Sequence, residues 1–104
     1  MHIEGAEMDN VIATVRIADD VDDPKIKGVS TGYAPHHKFP SVDYLASGVH
    51  TYGDRNLHYP GEVLQARISF PSWEYFKGEV KVGDSFEVRE LDRLVGYGIV
   101  EKIL

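Results

Sequence analysis

The chain has 104 residues, enough for one domain with a modest core and none left over for a second catalytic lobe. Eleven basic residues stand against 17 acidic ones, a formal charge of −6, which disfavours a broad phosphate-binding surface and argues against DNA as a partner. Cysteine is absent, so disulfides, thiol catalysis and thiolate metal sites are excluded.

Met1 to Asn10 is acidic and patternless and reads as a loose arm ahead of a domain spanning 11–104. It lacks the basic start and apolar middle of a signal peptide, and no apolar run approaches membrane-spanning length. A cytoplasmic protein without a membrane partner is expected.

Val11 to Ile17 alternates as a half-buried strand, with Val11, Ala13, Val15 and Ile17 on one face. Asp19-Asp20-Val21-Asp22-Asp23-Pro24 cannot extend a strand ladder and reads as a solvated acidic loop. It lacks the glycine and distal glutamate of a calcium-binding EF-hand loop. Gly28 to Phe39 is expected to be extended, with an edge or bulge at Pro35. Val42 to Tyr52 is the next strand, with Gly48 as a bulge. Gly53 to Asn56 and Pro60-Gly61 punctuate as turns. Val63 to Phe70 alternates, with Leu64, Ala66, Ile68 and Phe70 inward. Trp73, Tyr75 and Phe76 form an aromatic knuckle. It reads first as a plug over a barrel mouth and second as an exposed anchor, led by Trp73, for a partner.

The chain closes on a hairpin. Phe86 and Val88 alternate with Glu87 and Arg89, and Leu91-Asp92-Arg93 turns. In the return strand Val95, Tyr97, Ile99 and Ile103 are expected on one face and Gly96 and Gly98 on the other. Two glycines on one face suit a tightly coiled barrel wall or the close approach of another chain. Short strands punctuated by Gly and Pro, with no helical periodicity, indicate an all-β barrel or sandwich.

Arg89, Glu90, Arg93, Val95, Gly96, Gly98, Val100, Lys102 and Leu104 fall in register on the pattern Arg-Glu-Gly-Gly-Arg-Thr-Val-Gly-x-Gly-Val-Val-x-Lys-Val-Leu. Upstream, Gly32-Tyr33-Ala34-Pro35 falls on Gly-Tyr-Arg-Pro, and Pro60-Gly61-Glu62 on Pro-Gly-Asp. On these residues the chain resembles the C-terminal (third) domain of elongation factor Tu, over roughly Val11 to Leu104. The resemblance implies a closed six-stranded antiparallel Greek-key barrel and a contact surface at the hairpin end. It implies no catalysis, because the family's GTPase chemistry lies in another domain. No Gly-x-x-x-x-Gly-Lys-Ser/Thr motif is present here. The arginine of Gly-Tyr-Arg-Pro is replaced by Ala34, and the family's Phe-Arg-Thr-Thr becomes Phe39-Pro40-Ser41-Val42. Losing cations where phosphates are held disfavours tRNA.

The expected role is a stand-alone, non-catalytic protein-interaction module without cofactor or metal, imitating the translation factor or acting as an immunity or inhibitor protein. Its contact residues are Arg89, Glu90, Arg93, Gly96, Tyr97, Gly98, His36, His37 and Trp73. Two alternatives stand beside it. One is an RNA-binding accessory protein using Lys25, Lys27, Lys38, Arg55, Arg67 and Arg93. The other is a small metal-dependent or barrel-cavity enzyme using His37, His50, His58 and Asp54, since three neutral imidazoles, or two with a carboxylate, can hold zinc, although no close-spaced ligand pair marks such a site. His36 and His37, adjacent on a strand, point to opposite faces and cannot share one ion. Gly28-Val29-Ser30-Thr31-Gly32 spells a nucleophile-elbow pattern, but no helix follows it, so a serine loop is expected.

Overall fold

The computed structural model of the protein describes residues 9–104, so most of the expected N-terminal arm lies outside the described residues. Seven strands form one antiparallel sheet: β1 (Val11–Ile17), β2 (His36–Lys38), β3 (Ala46–Ser47), β4 (Val49–Thr51), β5 (Val63–Ser69), β6 (Ser85–Glu90) and β7 (Arg93–Ile103). Their order is β3-β2-β6-β7-β1-β5-β4. The first and last strands of that order are separated in the chain by Gly48 alone. The sheet therefore curls until its two ends belong to one segment, a nearly closed barrel.

The count is seven rather than the expected six because Gly48 breaks Ala46–Thr51 in two. A Cβ at Gly48 would come within 2.8 Å of the Phe70 ring and 2.9 Å of the His37 ring, and the Gly48 amide turns aside to donate to the Pro35 carbonyl at 3.1 Å. The expected extended run over Gly28 to Phe39 shortens to β2. Gly28 and Gly32 both take positive φ, which starts turns, and Val29 makes only an isolated bridge to His58.

β1 alternates buried and half-buried residues as its sequence dictates. β5 buries Ala66 and Ile68, with Phe70 just beyond it, and leaves Leu64 half-buried. β7 departs from the expected faces. Val88 pairs with Gly96 but Arg89 pairs with Leu94, so Val95 is the extra residue of a bulge. One extra residue flips the side chains that follow to the other face, as far as a second irregularity at Glu101, where Ile12 pairs with Lys102 but Ala13 with Val100. Val95 is inside, and so are Gly96, Gly98 and Val100, while Tyr97 and Ile99 face out.

The interior is aromatic at one end. Phe39 meets Phe86 at 5.1 Å and Phe70 at 5.7 Å between ring centroids. A four-residue helix, α1 (Trp73–Phe76), covers this end, with Trp73 stacked on Phe70 at 5.8 Å and Phe76 edge-on to Phe70 at 5.3 Å. Asn10 ties the start of the domain to its end. Its amide donates to Ile68, its side chain accepts from Phe70, and its carbonyl accepts from Leu104. No helix among the described residues is long and apolar enough to cross a membrane.

Candidate functional site

The hairpin-end residues lie together but mostly serve the fold. Arg89 grips its own turn, donating to the carbonyls of Leu91 (3.0 Å) and Asp92 (2.8 Å) and to Glu87 (2.8 Å). Glu90 is a hub: it accepts from the Tyr33 hydroxyl at 2.5 Å, pairs with Lys25 at 2.7 Å and meets Arg93 at 3.3 Å. Burial works to raise the Glu90 pKa, but Lys25, Tyr33 and Arg93 outweigh it and hold the carboxyl below its usual range. Burial and then Glu90 push the Tyr33 hydroxyl strongly up. Arg93 also fastens the acidic loop, donating to the carbonyls of Asp23 and Pro24 at 3.0 Å each.

Gly96 and Gly98 face the barrel interior, so neither offers the bare outer strip that the sequence suggested. Trp73 is buried, which makes it the plug rather than an exposed anchor; the exposed member of the knuckle is Tyr75, at 86%. Tyr97 is the contact candidate that reaches solvent, 41% exposed beside Ile99 at 48%. The adjacent histidines point to opposite sides of β2 as expected. His36 is half-buried and accepts from the Leu91 amide at 3.4 Å. His37 is fully buried.

The four side chains of the metal reading, His37, His50, His58 and Asp54, fall into two pairs. In the first, His37 Nε2 meets His50 Nε2 at 2.8 Å, with the ring centroids 5.0 Å apart, so the two rings meet end-on. His37 Nδ1 sits 2.9 Å from the Ala46 carbonyl, and His50 Nδ1 sits 2.9 Å from the Tyr52 hydroxyl. A carbonyl can only accept, so His37 donates from Nδ1 and its Nε2 accepts. His50 then donates from Nε2, and Tyr52 donates its hydroxyl hydrogen to His50 Nδ1. One proton order satisfies the whole row with neutral groups. Burial brings the His37 pKa down to about 4, with the Ala46 bond opposing and His36 adding to the shift. Burial, and then His37, lower His50 well below the usual range. Burial pushes the Tyr52 hydroxyl strongly up.

The second pair is His58 with Asp54, and Glu62 joins them. His58 stands between Glu62 (Nδ1 to Oε1, 2.9 Å) and Asp54 (Nε2 to Oδ1, 2.8 Å). Glu62 first and Asp54 second raise the His58 pKa, and both carboxyls are lowered by it. The Tyr52 ring meets His58 edge-on at 5.5 Å and links the two pairs. Every ring nitrogen of His37, His50 and His58 is thus engaged, and among the described residues no group of three or more His, Cys, Asp or Glu side chains is placed to hold a metal ion. Ser30 of the elbow-like segment sits in a loop with no helix after it; its neighbour Thr31 accepts from the Tyr52 amide at 2.9 Å.

Sequence reasoning singled out His37, His50, His58 and Asp54 but missed Tyr52 and Glu62. The signal for Tyr52 was its place two residues after His50, on the same face of the strand. Compared with known proteins, the chain matches no family model and no curated protein.

Proposed function

We propose that the protein is a stand-alone barrel of the translation-factor type, resembling the third domain of elongation factor Tu, that acts as a non-catalytic protein-interaction module. One observation carries this reading: the outward apolar residues of β7. Across the outer sheet surface Tyr97 lies between Glu87 of β6 and Arg16 of β1, and Ile99 lies between Ser85 and Thr14. Val63 of β5, 63% exposed, continues the Tyr97 row beyond Arg16. Aromatic and aliphatic side chains ringed by polar ones are the usual anatomy of a protein interface. Mimicry of the translation factor, or inhibition of a partner, are the forms such a module takes here. Three of the six cations of an RNA surface are already paired: Lys25 with Glu90, Arg67 with Asp9 (3.0 Å) and Arg93 with Asp23 (3.2 Å).

The test is capture from native lysate on the immobilised protein, with a Tyr97→Glu, Ile99→Glu double variant in parallel. A protein bound by the wild type and released by the double variant is the expected result. Salt-sensitive retention of tRNA with no protein partner would overturn the reading.

A further inference from the structure

The weakest part of the barrel is its closing segment. β2 meets β3 through two residue pairs and β4 meets β5 through three, whereas β1 and β7 share seven. Backbone bonds reinforce the seam: His50 donates to Tyr33 (2.8 Å), Gly32 to His50 (2.8 Å) and Gly48 to Pro35 (3.1 Å). Across this seam runs the row Ala46 carbonyl, His37, His50, Tyr52, which links β2 to both β3 and β4.

We infer that the His37–His50–Tyr52 row is an acid-released latch on the barrel's closing seam. In the neutral state the hydrogens run one way along the row, from Tyr52 to the Ala46 carbonyl. One added proton goes to His50 Nδ1, which turns Tyr52 from donor to acceptor there and leaves the nitrogen–nitrogen contact with its single hydrogen. A second proton leaves hydrogen on both facing nitrogens, and the contact is lost.

The surroundings do not compensate a charge. Phe70 and Phe86 lie 5.0 and 5.8 Å from the His37 ring centre, and Tyr33 meets His50 edge-on at 5.9 Å. The titratable and charged groups on the packed elements are directed elsewhere. On β2, His36 faces away. Tyr33 is bound to Glu90, beside Lys25. Beyond Tyr52, His58 is held by Asp54 and Glu62. Neither buried imidazole has a carboxylate among its hydrogen-bond partners. A buried cation without a counter-charge is relieved by reaching water, and the short seam is the nearest way out.

The test is amide hydrogen exchange at pH 7.5 and pH 5, corrected for intrinsic rates. The expected result is a loss of protection of about tenfold or more at Gly32, Gly48 and His50, with Val15 and Val100 of β1 and β7 unchanged. Unchanged seam amides, or loss in all strands together, would overturn the inference. A His37→Phe, His50→Leu variant should abolish the acid response; seam opening that persists in it would also overturn the inference. Should that variant fail to fold, nitrogen NMR of the wild-type imidazoles decides. Titration of His37 and His50 over the range in which the seam opens supports the latch, and seam opening without it refutes the latch.

Discussion

Gly98 lies against the face of the Phe86 ring, so closely that a Cβ at position 98 would overlap the ring itself. Gly96 is held as tightly against the Arg16 carbonyl of β1. The difference lies in what could give way. A ring can be exchanged for a smaller side chain, and a neighbouring strand's backbone cannot. Gly98→Ala is therefore expected to destabilise by about 2–3 kcal/mol. Adding Phe86→Leu should recover part of that loss, while the same change should leave Gly96→Ala unrescued. Urea unfolding of the four variants checks this, and equal rescue of both glycine variants would show that the ring is not the obstacle.

The β6–β7 turn carries a strained residue. Leu91 has φ 55°, a left-handed conformation that a branched L-residue adopts at a cost, and its side chain is exposed. Glu90 pairs with Arg93, so Leu91 and Asp92 are the two central turn residues, and glycine is the residue favoured at the first. Leu91→Gly is expected to stabilise by up to about 1 kcal/mol, offset in part by the greater freedom of glycine in the unfolded chain. Thermal unfolding read against wild type measures it, and a lower midpoint contradicts it.

Stability should peak near neutral pH, for two separate reasons. The folded pKa of His37 is about 4, below the unfolded value of about 6.5, so its contribution is full above pH 6.5 and lost as pH falls toward 4. For His37 alone that loss is about 3 kcal/mol. The folded pKa of His58 is raised by Glu62 and Asp54, so its contribution is full below its unfolded value and lost as pH rises through its folded one. Denaturant midpoints at pH 4.5, 6.5 and 8.5 measure both limbs. His58→Gln should flatten only the alkaline limb, and a variant that flattened the acid limb as well would break the assignment.

The regular strands were legible because a single rule governs them. β1 and β5 alternate without interruption, and their buried positions follow from period two alone. β7 obeys the same rule up to Val95, but the bulge is set by pairing with Val88 and Arg89 on another strand, and nothing within the Val95-to-Ile99 stretch encodes it. The histidine row was hidden for a related reason. His37 and His50 are 13 residues apart on different strands. Their meeting depends on the kink that Gly48 permits, where the sequence indicated a bulge but not its direction. Arg89, Glu90 and Arg93 were readable as a cluster. That they spend their hydrogen bonds on the turn and the acidic loop depends on where Lys25 and Tyr33 return.

Gly48 also bears on the company the protein keeps with copies of itself. Because one short segment caps both ends of the sheet, it covers His36 and His37 on the edge of β2 and Arg67 to Ser69 on the edge of β5. Detaching that segment would free both edges at once, at opposite ends of a sheet that is otherwise intact. Such a species can exchange its segment with a second copy or recruit strands at either side. The covering of both edges thus rests on the one glycine that lets Ala46–Thr51 turn from β2 to β5.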